Sequence, residues 1–351
     1  MANNSDDLRV GLIGYGAAGR FFHAPLLATT PGLELSAIVT SDETRGADAL
    51  AAYPGTRIVG SPDDLWKLGL DLIVVASPNK SHIPLAAAAI EAGCAVVVDK
   101  PLAVTAEQGR GLVELARDRG RLLSVFQNRR WDGDFRTIAE IIGSGRLGRV
   151  NRFESRFERW RPQLKGGWRE SVDRAEGSGL LYDLGSHLVD QALTLFGPAV
   201  SVYAEADVRR LDAEADDDTF VALTHTDGTR SHLWVSATAA ELGPRFRVLG
   251  SAAAYVTFGL DNQEDQLRAG MTPRDEGFGE TQAARYGRVG AEGAYETYPT
   301  LPGRYTEYYT AMGAALRGEG PVPVDPGDSV DALEVIEAAR RSADTGQVIE
   351  L

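Results

Sequence analysis

Cysteine is almost absent. The chain has 351 residues and one cysteine, Cys94. No intramolecular disulfide can form, and neither a thiolate zinc site nor any other metal site is expected. Cys94 itself is predicted to be a small buried residue beside a strand. Long apolar runs are missing as well. None approaches the roughly 20 residues that span a bilayer. The first residues, "MANNSDDLRV", lack the charged-then-apolar pattern of a signal peptide. Positive charge is the minority, with 36 Lys and Arg against 50 Asp and Glu and a net charge of −14. That balance argues against general nucleic-acid binding and against adhesion to anionic membranes, though it allows a local basic pocket. No internal repeat and no low-complexity tract is present. A cytoplasmic protein with neither nucleic acid nor membrane as partner is expected.

What remains is an ordinary globular composition, 43% hydrophobic and 25% charged. The length suggests two domains. The first third alternates strand and helix patterns. Strands are predicted at "LRVGLIGYG", "LELSAIVTS", "LDLIVVASP", "AVVVDKP" and "LLSVFQ". Helices are predicted over 17–29, around "IPLAAAAIEAG" and over 105–119. Such alternation implies parallel βαβ units. Pro25 should kink or shorten the first helix.

The texture changes near Asn128. A helix at "DFRTIAEIIGSG" precedes "VNRFESRFERW", where Phe153, Ser155 and Phe157 share one face of a strand. Further strands near 200–209, 219–225, 231–238 and 245–258 suggest a largely antiparallel sheet. Residues 260–300 show little periodicity and read as surface excursions near a site. Helices return at 304–317 and 327–344. The expected division is 1–127 and 128–351.

Three groups of residues carry chemistry. The first is "GLIGYGAAG", with Gly14, Gly16 and Gly19 in G-x-G-x-x-G spacing around Tyr15, Ala17 and Ala18. Lying between a strand and a helix, it predicts a turn on which a dinucleotide pyrophosphate rests. The second is "AVVVDKP", a valine-rich strand that ends in Asp99 and Lys100. Lysine is rarely buried without a partner, so Lys100 escapes to solvent or is placed for a purpose. The third is "GSGLLYDLGSHLVDQALTLFGP". Leu181, Leu184, Leu188, Ala192 and Leu195 form an apolar stripe opposite Asp183, His187, Asp190, Gln191 and Thr194. Asp183 and His187, four residues apart, are neighbours on a helix. The stripe is either a solvated face or a site. Gly177 and Gly179 before it would let backbone or a ligand come close.

The other histidines say less. His225 and His232 read as structural. His82 and Asn79, after Ser77 and Pro78 at a strand end, are expected beside a cofactor.

The motifs "GYGAAG", "SPNKSH", "DKP" and "YDLGSHLVD", in that order, resemble the Gfo/Idh/MocA oxidoreductases. With "FFHAPLL" and "SVFQNRRWDGDF", the likeness is to the scyllo-inositol 2-dehydrogenase branch. The resemblance implies an N-terminal Rossmann dinucleotide-binding domain and a C-terminal α/β domain with a large, mostly antiparallel open sheet. It implies a dehydrogenase in which Lys100 binds the substrate oxygen, His187 is the general base and Asp183 orients the substrate. Asp99 stands where the family has glutamate, one carbon shorter. Asn128, Trp168 and Arg169 are implied near cofactor and substrate, and association as a homodimer or homotetramer is implied through the open sheet. The substrate expected is a cyclitol or sugar, scyllo-inositol first. A pyranose dehydrogenase and a non-catalytic cofactor-sensing regulator are the alternatives. Ser41 falls where an NAD-binding domain carries its ribose acid, and Arg45 follows one turn later, so NADP is expected. Asp42 would select NAD if the register were one residue off.

Overall fold

The computed structural model describes residues 7–164, 166 and 177–351. The first sheet has six strands: β1 Leu8–Ile13, β2 Leu33–Val39, β3 Arg57–Val59, β4 Leu72–Val75, β5 Ala95–Asp99 and β6 Leu123–Phe126. Their order is β3-β2-β1-β4-β5-β6, and every pairing is parallel. This is the Rossmann order, in which the succession of strands reverses between β1 and β4 while all of them stay parallel. The strands are valine- and isoleucine-rich because helices cover both faces and leave no side for polar residues. The covering helices are α1 Ala24–Thr29, α2 Glu43–Ala52, α3 His82–Glu91 and α4 Ala106–Asp118. Pro25 does not break its helix. A wide π-helical turn, Gly19–His23, precedes α1, with the Ala24 N–H bonded to Gly19 O. The helical run therefore absorbs the proline by changing pitch. Cys94 is buried, and its thiol donates to Leu70 O at 3.3 Å.

The second sheet has nine strands: β7 Val150–Glu158, β8 Ala199–Asp207, β9 Asp218–His225, β10 Arg230–Ser236, β11 Phe246–Gly250, β12 Ala254–Thr257, β13 Gly287–Ala291, β14 Ala294–Tyr298 and β15 Ile349–Glu350. The order is β14-β13-β12-β11-β7-β10-β9-β8-β15, antiparallel except for the parallel β7–β10 pair. Phe153, Ser155 and Phe157 are wholly buried on the inner face. Over that face run α5 Gly133–Gly143, α6 Ser186–Phe196 and α9 Pro326–Thr345, with α7 Gln263–Arg268 and α8 Tyr305–Leu316 between them in sequence or beside them.

Two expectations change. The run 245–258 is a hairpin, β11 and β12, not one strand. The excursion 260–300 contains α7 and the β13–β14 hairpin, which lengthens the sheet. These strands have five residues each, and β14 is exposed over most of its length. The alternating burial that betrays a strand in sequence is therefore missing. α8 and α9 return to the first sheet. Phe126 at the end of β6 packs its ring against Tyr308 and Tyr309 of α8, 4.9 and 5.7 Å between centroids. Among the described residues, no helix is long and apolar enough to cross a membrane.

Candidate active site

The carboxyl ends of β1, β5 and β6 face the inner side of the second sheet across a cleft of about 380 Å³. Lys100 follows directly on β5 and enters it. Its ammonium donates to Asp183 O at 2.5 Å and to Asp183 Oδ1 at 3.0 Å. The lysine thus leaves the core for a carboxylate on the opposite domain. Asp183 lies in a π-helical turn, Leu181–Gly185, that leads into α6. His187 is in the first turn of α6 and lines the same cleft.

His187 is 4% exposed, and its Nδ1 has no hydrogen-bond partner among the described residues. Burial pushes its pKa well below the ordinary 6.5, and the charges of Lys100, Arg129, Arg245 and Arg159 push the same way. The ring is neutral at neutral pH and able to take a proton. Asp99 lies the other way. Burial opposes its charge, but His23, Lys100 and His82 outweigh it and hold the carboxyl below its usual range.

The polar stripe on α6 is turned away from solvent at His187, Asp190 and Gln191, and only its end, Thr194, is exposed. Its upper part, Asp183 and His187, lines the cleft. Lower down, Asp190 receives both arms of Arg130 at 2.9 and 2.7 Å. Gln191 donates to Arg129 O and accepts from Arg245, both at 3.0 Å. These bonds fix α6 to the loop after β6 and to β11. Gly179 has φ +92°, and a Cβ there would stand 2.0 Å from Asp216 Oδ1. The close neighbour that this glycine admits is the Asp216 carboxylate, whose Oδ2 accepts the Leu181 N–H at 2.7 Å and starts the helix.

The glycine turn has the shape a dinucleotide needs. Gly14 has φ +99°, and a Cβ on it would lie 2.7 Å from Ala76 O. A Cβ on Gly19 would lie 2.0 Å from Gly14 O, so strand and helix could not close. At Gly16 a Cβ would meet nothing within 4 Å, which leaves the backbone open to a pyrophosphate. Ala17 and Ala18 begin the helix and line the cleft, as do Asp99 and Asn128.

Other anticipated residues stand elsewhere. Tyr15 is buried, with its hydroxyl pKa raised by that burial. Ser41 and Arg45 are exposed beyond the end of β2. Asp42 caps α2, its Oδ1 accepting the Arg45 N–H at 3.0 Å, and its Oδ2 lies 3.5 Å from Arg45 Nε. His82 is 1% exposed and does not line the cleft. Its Nδ1 is 2.8 Å from Pro101 O and its Nε2 2.8 Å from Ser77 O, so it clamps the loops after β4 and β5 together. Ser77 accepts the Ser81 hydroxyl, Pro78 O accepts it too, and Asn79 is buried behind them. Trp168 and Arg169 lie outside the described residues.

The sequence reading missed Arg129, Arg159 and Glu264, all on the cleft wall. Arg129 pairs with Glu264 at 2.8 Å and with Asp132 at 3.3 Å. Arg159 has no carboxylate within ion-pair distance among the described residues. Its pKa falls to about 10 through burial and the neighbouring Arg161. The "NRRW" and "FERWR" runs offered only a charge signal, which solvent exposure explains equally well.

A dinucleotide turn facing a lysine–aspartate–histidine cluster across a two-domain cleft is the arrangement of an oxidoreductase. Two family models match, the oxidoreductase NAD-binding Rossmann fold over residues 8–127 and the oxidoreductase C-terminal alpha/beta domain over 139–351. The chain belongs to the Gfo/Idh/MocA oxidoreductase family. It is 44% identical to the uncharacterised oxidoreductase YdgJ of Escherichia coli over 342 residues, 97% of each chain. It is 34% identical to the scyllo-inositol 2-dehydrogenase (NADP(+)) IolW of Bacillus subtilis, over 99% of this chain and 96% of that one. The solved structure of yvaA from Bacillus subtilis superposes with a TM-score of 0.94 at 33% identity, covering all of both chains.

Proposed function

We propose that the protein is an NADP(H)-dependent dehydrogenase acting on a secondary alcohol of a cyclitol or sugar, with scyllo-inositol or its 2-keto form as first substrate. The observation that carries this reading is the meeting of Lys100, Asp183 and His187 at the strand ends of the dinucleotide sheet. When bound, the nicotinamide supplies the hydride acceptor for oxidation or the donor for ketone reduction. Lys100, held by Asp183, hydrogen-bonds the substrate oxygen and lowers the cost of alkoxide charge. Neutral His187 accepts the hydroxyl proton. Asp183 fixes the lysine and orients the substrate.

On the cofactor side, the turn from Gly14 to Gly19 takes the pyrophosphate, with Ser77, Pro78, Asn79 and the His82 clamp along the neighbouring strand end. Ser41 and Arg45 take the 2′-phosphate, and Asp99 and Asn128 flank the nicotinamide end. The commitment of Asp42 to capping α2 supports this choice over a ribose acid, as does the NADP(+) in the name of IolW. Residues 1–127 form the cofactor domain and 128–351 the substrate and association domain of a cytoplasmic homodimer or homotetramer.

The test is a panel of inositols and common sugars with NADP⁺ and NAD⁺. Turnover is expected with an inositol and NADP⁺. A pyranose preferred over every inositol in kcat/KM would replace the cyclitol reading. Absence of turnover with any polyol would remove the dehydrogenase reading.

A further inference from the structure

His23 stands beside the cleft and has no part in the chemistry above. It lies in the first helical stretch, is 0% exposed, and packs its ring 4.4 Å from that of Phe126. Its Nδ1 is 2.6 Å from the hydroxyl of Tyr309, on α8. Its Nε2 is buried with no hydrogen-bond partner among the described residues and lies 3.8 Å from Asp99 Oδ1. That same oxygen accepts the backbone N–H of Lys100 at 2.8 Å.

These contacts favour one tautomer of the neutral imidazole. If Nδ1 carried the proton, a bare Nε2 lone pair would face a carboxylate in a dry site. If Tyr309 donates to Nδ1, Nε2 carries the proton and directs it at Asp99. Burial, Tyr308 and Asp99 raise the Tyr309 pKa well above its ordinary value, so the phenol keeps its proton to donate. We infer that His23, oriented by Tyr309, is a positioning residue that holds the Asp99 carboxylate and, through it, the backbone from which Lys100 enters the cleft. The chain Tyr309–His23–Asp99–Lys100 joins α8 of the second domain to the end of β5. It also gives the shortened acid of the "DKP" motif an anchor of its own. The inference rests on the proposed function for the turnover arm of its test and for the choice of NADPH as probe; where the wild type binds NADH instead, the titrations use NADH.

Two amide variants separate positioning from packing. His23→Gln sets an N–H donor near the place of Nε2, whereas His23→Asn sets its amide near Nδ1 and leaves Asp99 unanswered. NADPH titration by nicotinamide fluorescence and kcat/KM against pH are measured for both, with melting temperature as the check on folding. Asn at this position should weaken NADPH binding and lower kcat/KM by about tenfold or more, a difference of about 1.4 kcal/mol. It should also move the acid limb to higher pH, because Asp99 loses the group that most favours its charge. His82, Lys100, Tyr308 and Tyr309 also face Asp99 and are unchanged. Gln should stay within about threefold of the wild type. Equal losses in the two variants, or wild-type behaviour of His23→Asn, would overturn the inference. Should His23→Asn not fold, Tyr309→Phe deletes one hydroxyl only and should weaken NADPH binding several-fold; an unchanged affinity there would overturn it too. If no polyol is turned over, the proposed function fails and the NADPH titrations still decide this one.

Discussion

His187 is a histidine surrounded by cations. Lys100, Arg129, Arg245 and Arg159 all oppose its protonation, after burial has already done so. A base with a depressed pKa is unprotonated down into the acid range, so the acid limb of kcat/KM should lie below pH 6.5, the ordinary imidazole value. Removing one cation makes protonation easier and raises the pKa. Arg159→Gln should therefore shift the acid limb to higher pH; an unmoved or lower limb would show that Arg159 does not reach His187. At this scale the sequence is legible where a motif carries the residue. Lys100 is announced by a valine strand that ends in lysine, and Asp183 and His187 by their spacing and by a polar stripe without Lys, Arg or Glu. Arg129 and Arg159 are illegible, because an arginine that stabilises a buried centre and one that waves in solvent look alike in a chain with many of them. His23 hid for another reason: its partners, Asp99 and Tyr309, lie far along the chain and meet it only in the fold.

In the proposed reading, the junction of β2 and α2 decides which cofactor binds. β2 ends at Val39, and two residues later Ser41 is exposed while Asp42 turns into the cap of α2. A hydroxyl there leaves room for a 2′-phosphate and can donate to it; a carboxylate would repel it. Ser41→Asp should shift the kcat/KM ratio toward NAD by about tenfold or more, a difference of about 1.4 kcal/mol. A wild type that prefers NAD, and loses that preference in Asp42→Ala, would put the ribose acid at Asp42 instead. The long elements around this junction were readable. β4 has an unbroken apolar run, β5 has one up to Asp99, β1 and β2 are apolar over most of their length, and α4 has a clear amphipathic face with Thr105 as its N-cap. β3 and α2 were not. β3 has three residues, and α2 has an exposed surface and few apolar anchors, so neither offers a period to detect. The β13–β14 hairpin escaped for the same reason.

Across the whole molecule, the proposed catalytic cluster exists only because two domains meet. Lys100 comes from the end of β5, His187 from α6, and α8 and α9 tie the second domain back onto the first. Among the described residues, no helix covers the outer face of the second sheet. There Phe220 and Trp234 sit opposite each other on β9 and β10, with Arg156 3.9 Å over the Trp234 ring. A face of half-buried aromatics suits a second copy of the chain. Trp234→Glu should convert a wild-type dimer or tetramer into smaller particles in sedimentation; a monomeric wild type would contradict that association. The central claim is the division of labour in the cleft, and kinetics with cofactor titration test it most directly. Lys100→Ala and His187→Ala should each bind NADPH nearly as the wild type does, and each should lose about a hundredfold or more in kcat. Near wild-type kcat in either variant, measured with an authentic polyol substrate, would contradict the account.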